Sequence, residues 1–173
     1  MTDHFDTYTG DAPISFANRL IGSESFNDLF RTGMGLVEET ASYLDGPGRD
    51  ASRTLGRAGS LVYATESMRL TTRLMQLASW LLLQRAVNEG EMSPSQAGQE
   101  KNKVNLSALS SATNGPGWDE LPVELKDLIG RSVHLQKRVQ QLDKAMSPDA
   151  MPRPANANPV SQQLDRLAAA FGA

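Results

Sequence analysis

The sequence predicts an all-α protein: a three-helix antiparallel bundle with one long central helix, a flexible N-terminal arm and a disordered C-terminal tail. Three observations carry that reading. Apolar residues recur at three- and four-residue spacing in three separate segments, the period of a helix face. Gly-Pro and Ser-Pro steps punctuate the chain between those segments. Hydrophobic residues make up 39% of the chain, against ~45–50% in a typical compact domain. That shortfall fits loose ends around a modest core, a core completed by a partner, or both.

Residues 1–22 show no period. Thr, Asp, Gly and Pro dominate until Ile14, Phe16, Leu20 and Ile21, so the stretch reads as a loose arm whose last third docks on the core. The first helix is expected over about 26–45. Ser25 can cap it, with Asp28 three residues on as a variant capping box. Phe26, Leu29, Phe30, Met34, Val37, Ala41 and Leu44 form its apolar face, and Gly46-Pro47 ends it. Gly33 and Gly35 inside it mark either a weakened helix or the close approach of another backbone.

The second helix is expected over about 51–89, capped by Asp50 and unbroken by proline. At 1.5 Å per residue it would be a rod of roughly 58 Å. Thr54, Ala58, Leu61, Thr65, Met68, Thr72, Met75, Ser79, Leu82 and Ala86 alternate by four and three, a heptad seam. Leu61, Met68, Met75 and Leu82 are therefore the candidate dimer seam. A dimeric and an intramolecular seam share this pattern, so spacing alone leaves both open. A second stripe, Leu70, Leu74, Leu77 and Leu81, gives the segment a second face to bury. Trp80 is of a type enriched at interface anchors.

Residues 91–121 form a polar connection, within which Ser93-Pro94 looks like the cap and first turn of a short helix. The third helix is expected over about 122–146, on Leu125, Leu128, Ser132, Leu135, Val139, Leu142 and Met146. From Ser147 four prolines and little apolar surface predict a disordered tail over 147–173. Within 160–171 the residues Val160, Leu164, Leu167 and Phe171 fall on one helical face. That makes them a candidate partner-binding segment on a flexible leash.

Charge is unevenly spread. The net value of −3 divides into −6 over residues 1–50 and +3 over the remainder. From Ala51 to Asn88 there are five arginines and one acid, Glu66. Arg53 with Arg57, and Arg69 with Arg73, each share a face and form a candidate surface for an acidic partner. The first expectation is still that these arginines meet Glu38, Glu39 and Asp45 of the first helix, since charge runs are usually paired locally. Nucleic-acid phosphate ranks third, which leaves a nucleic-acid-associated transcriptional regulator as the alternative function.

The residues that chemistry would need are missing. There is no cysteine. His4 and His134 have no Cys, Asp or Glu at metal-ligand spacing. Glu38 and Glu39 are neighbours on a helix and diverge by ~100°. No Glu-x-x-His occurs, and Gly33-Met34-Gly35 lacks the third glycine of a nucleotide loop. The sequence therefore predicts no enzyme, no cofactor and no metal site. The acidic, polar start is unlike a signal peptide, and Leu77 to Leu83 is too short to cross a membrane. A cytoplasmic protein that binds other proteins is the expectation.

The run ATESMRLTTRLMQLASWLLLQRAVNEGEMS, preceded by FNDLFRTGMGLVEETASYLDGPGR, resembles the alphaproteobacterial regulator of CtrA degradation (RcdA) family over about Phe26 to Met92. The arm and tail carry little of that likeness. The resemblance implies a dimeric three-helix bundle without catalytic residues. It also implies an adaptor that delivers cell-cycle regulators, CtrA-type transcription factors, to the AAA+ protease ClpXP. The response regulator CpdR would be its partner, and the cell pole its place of action. The tail would then tether the adaptor to the protease or its primed partner.

Overall fold

A computed structural model describes residues 24–106 and 115–146. The expected arm and tail, with Val160, Leu164, Leu167 and Phe171, lie outside the described residues. Five helices follow in order, and no strand occurs among the described residues: α1 (Glu24–Asp45), α2 (Pro47–Ser52), α3 (Arg57–Asn88), α4 (Pro94–Lys101) and α5 (Val123–Met146). The all-α three-helix bundle is what the chain forms, from α1, α3 and α5.

Helix α1 presents Phe26, Leu29 and Leu36 to the core. It ends where the Gly46 N–H turns back onto the Ser42 and Tyr43 carbonyls at 3.1 and 3.3 Å. Gly33 sits against a side chain of the facing helix. A Cβ there would lie 2.5 Å from Leu81 Cδ1 of α3. Gly35, two residues on, is exposed and would meet nothing. So Gly33 makes room for a leucine side chain and not for another backbone, while Gly35 only weakens the helix.

The second helix differs from expectation. Pro47 both ends α1 and starts α2 as its first helical residue, a place where the missing N–H costs nothing. Asp50 lies inside α2 instead of capping a rod. The chain then tightens through i→i−3 bonds at Arg53, Thr54 and Leu55 and restarts at Arg57. The rod has 32 residues, about 48 Å at the usual rise. Close contacts flank the break, with Gly56 and Gly59 lying against the Glu120 side chain. Gly48 lies against Tyr43 Cε1 and the Tyr63 hydroxyl, where a Cβ would approach to 2.6 and 2.7 Å.

Helix α3 is central and contacts α1, α4 and α5. Its Leu70, Leu74, Leu77 and Leu81 stripe is 0–3% exposed and meets Leu125, Leu128, Ile129, Leu135 and Val139 of α5. Ser93 caps α4 as its Ser-Pro step predicts. The Gln96 N–H donates to Ser93 Oγ at 3.2 Å, and the Ser93 N–H donates to Gln96 Oε1 at 3.1 Å. Helix α1 runs antiparallel to both neighbours: Gly33 faces Leu81 and Leu135, whereas further along Glu39 meets Arg131 and, just past the helix end, Gly48 meets Tyr63. Arg73 meets Ser132 and Trp80 meets Asp143, so α3 and α5 run in the same direction. The long connection makes this possible by returning the chain to the start of α3, where Gly117 lies on the Ala58 carbonyl.

Candidate partner-binding surfaces

The seam left open by spacing is not the core of this chain. Leu61, Met68, Met75 and Leu82 are 70%, 72%, 66% and 53% exposed. The intervening hydroxyls do not make the stripe polar. Thr65, Thr72 and Ser79 donate to the carbonyls of Leu61, Met68 and Met75, each at 2.9 Å. Their hydrogen-bonding capacity is turned into the helix, and their carbon atoms face outward. The result is one apolar strip along the outer face of α3, of the kind that marks interaction sites.

One of the four arginines, Arg73, drops out of the surface expected of them. Arg73 is 0% exposed, so it is not part of an acidic-partner surface. Its Nη1 donates to Ser132 Oγ at 2.8 Å, and that hydroxyl donates to the Ile129 carbonyl at 2.7 Å. Glu66 is buried at 1% and accepts from Arg69 Nη1 at 2.7 Å. Burial pulls the Arg73 guanidinium below its ordinary value, and the nearby Glu66 carboxylate acts in the opposite sense. Arg53, exposed, pairs with Asp50 one turn back at 3.3 Å, and Arg57 is exposed. Nor do these arginines meet the acids of α1. Glu39 is held by Arg131 of α5 through two bonds of 2.6 and 2.7 Å, and Asp45 lies 3.7 Å from Arg49. That clasp holds the Glu39 carboxyl below its ordinary range.

A signal for Arg73 was present in the sequence. Glu66, Leu70, Arg73, Leu77, Trp80 and Gln84 alternate by four and three, in step with the buried leucines. Every one of them is buried at 0–1%. Charge type concealed a position that periodicity reveals.

Trp80 likewise serves the fold, not an interface. It is 1% exposed, and its indole N–H donates to Asp143 Oδ1 at 2.7 Å. Lys101 of α4 stacks over its ring at 4.4 Å and donates to Gln84 Oε1 at 2.6 Å. Burial lowers the Lys101 ammonium from its ordinary value. These contacts pin α4 and the end of α5 to α3.

Among the described residues no His, Asp or Glu cluster could hold a metal ion, and no helix is long and apolar enough to cross a membrane. His134 stands exposed on α5.

Comparison with known proteins relates the chain to a family and to a solved structure. No curated protein matches. The crystal structure of RcdA from Caulobacter crescentus CB15 is 50% identical to this chain, which it covers over 77% of this length and 97% of its own, with a TM-score of 0.61. The model of the family described as "Protein of unknown function (DUF1465)" matches residues 17–171. The chain therefore belongs to the DUF1465 family and is an RcdA-like protein.

Proposed function

We propose that this protein is a non-enzymatic adaptor in regulated proteolysis. In this reading it delivers cell-cycle regulators of the CtrA type to ClpXP, together with the response regulator CpdR, and is recruited to the cell pole. The observation that carries it is the 50% identity to RcdA across 97% of that chain. The outer strip of α3 supports it. Four large apolar side chains, 53–72% exposed, suit burial against a second copy of the chain. In the proposed division of labour Leu61, Met68, Met75 and Leu82 form the homodimer seam, the bundle carries cargo, and the tail residues Val160, Leu164, Leu167 and Phe171 engage the protease or its primed partner.

The nucleic-acid reading loses its footing on the arginines. Arg73 is buried, and Arg53 and Arg69 are matched by Asp50 and Glu66.

Reconstituted degradation tests the adaptor reading. Cargo, ClpXP, nucleotide and CpdR are combined with the full chain or with a chain ending at Met146. The full chain should accelerate cargo loss. The shortened chain should keep its helical melt and fail to deliver. Full-rate delivery by the shortened chain would refute the role assigned to the tail, and no acceleration by either form would refute the adaptor.

A further inference from the structure

An open cleft of about 460 Å³ runs between α1 and α5, and no residue of α3 lines it. Leu36 and Leu135 form an apolar floor, at 2% and 3% exposure. Gly130 opens the middle of the cleft. It is exposed, helical, and a Cβ placed on it would meet nothing within 4 Å. Glycine inside a helix is costlier than any residue except proline, because it gives up the most backbone freedom. No neighbour among the described residues requires it here. The notch it leaves is a space that this part of the chain does not fill.

The rim of that notch is basic. Arg131, His134 and Arg138 border it, with Lys126 at one end and Asp127, paired with Arg131, as the one carboxylate of the lining. Glu39 and Asp127 hold Arg131 in place. Lys126 donates to the Asp119 carbonyl at 3.3 Å and lies over the Trp118 ring at 6.0 Å, and it forms no ion pair with a carboxylate among the described residues. Beyond the cleft the same helix continues with Lys137 and Lys144, both exposed. From Ser132 to Met146 the one acid is Asp143, and its carboxylate is taken up by the Trp80 indole. Cations in the last turn of a helix favour its dipole, but that effect fades within a turn and does not reach Lys126 or Arg138.

We infer that this cleft docks an acidic amphipathic helix of another protein. An aliphatic side chain of that helix fills the notch above Gly130, on Leu36 and Leu135. Aspartates or glutamates flanking it pair with Lys126 and Arg138. This is helix-in-groove recognition with a charged rim setting orientation and on-rate. The inference does not rest on the adaptor reading, since the cleft shares no residue with the outer strip of α3 or with the tail.

The test uses the full chain and a dye-labelled synthetic helical peptide with leucine at every third or fourth position and glutamate elsewhere. Fluorescence anisotropy should show saturable binding that weakens as salt rises. Arg138→Glu should weaken it by about tenfold, in keeping with loss and reversal of a rim charge. Gly130→Gln should block the notch to a similar degree while the helical melt stays level or rises; Arg138→Glu, on an exposed side chain, decides the matter if that variant misfolds. The same peptide with lysine for glutamate, and a labelled DNA duplex, should bind more weakly. Absence of saturable binding, equal binding of the lysine peptide, preference for the duplex, or indifference to both substitutions would each overturn the inference. None of these outcomes bears on the degradation assay, so the two readings fail separately.

Discussion

Arg73 and Ser132 meet across the α3–α5 interface with both residues at 0% exposure, guanidinium Nη1 to hydroxyl oxygen at 2.8 Å. Around them Glu66 brings the compensating charge and Arg69 closes the far side of the carboxylate at 2.7 Å. A buried ionic group of this kind need not add stability relative to an apolar core, but removing one member leaves a charge stranded. Glu66→Ala removes the carboxylate that offsets the buried Arg73 guanidinium and should therefore cost about 3–5 kcal/mol in urea unfolding, and Ser132→Ala about 1–3 kcal/mol. Replacing Glu66 and Arg73 together by methionine should recover most of the loss. Single substitutions that shift the midpoint no more than exposed ones would contradict this account.

The two glycines of α1 should respond in opposite senses. Gly33→Ala drives a methyl into Leu81 in the packed core, and overpacking of that kind costs about 1–3 kcal/mol. Gly35→Ala meets open space and removes backbone freedom from the unfolded chain, so it should stabilise by about 0.5–1 kcal/mol. Thermal melts of the two variants, side by side with the parent, read the sign directly.

On the outer strip of α3, Met68→Lys and Met75→Lys replace side chains that are 72% and 66% exposed. Within a single chain such changes should shift unfolding by no more than about 0.5 kcal/mol. The self-association proposed for this strip should nevertheless be lost, as light scattering after gel filtration of parent and variants would record. A pair of charged variants that still runs as a dimer would remove this strip from the interface.

Tyr43 supplies a pH test. Burial, followed by the nearby Tyr63 and Glu124, raises its phenol to about 12 from an ordinary value of 10.0. The folded state thus keeps a proton that the unfolded state releases first. The stability linked to it is whole below pH 10 and drains away as pH climbs towards 12, by roughly 1 kcal/mol per pH unit. Its hydroxyl has no hydrogen-bond partner among the described residues. Tyr43→Phe should be near neutral in stability at pH 7 and should resist alkali better than the parent, with Tyr63 leaving a residual slope of the same sign. A parent and variant with superimposable alkaline unfolding curves would rule this out.

Much of the architecture could be read from the chain itself. Period and punctuation locate three helices because a helix buries a face through every third or fourth residue, whatever it packs against. Ser93-Pro94 marks α4 because capping is local chemistry. The exposed strip and the buried stripe of α3 were both visible as patterns. Which of the two the chain would bury for itself was not, since both have the spacing of a seam. Likewise the break at Arg53–Gly56 was not expected, and the glycines flanking it meet distant residues, Gly48 the Tyr63 hydroxyl and Gly56 and Gly59 the Glu120 side chain.

The lone acid Glu66 and the arginine at 73 show where local reasoning ends. Sequence determined that they share the rhythm of Leu70 and Leu77. Only the tertiary structure decided that an ionic group would occupy that face, because its burial depends on Ser132 arriving from a helix 59 positions away. The helices and their apolar faces follow from neighbours in the chain. The assignment of each face to core or surface, and of each charge to a partner, depends on which distant residues the fold brings against it.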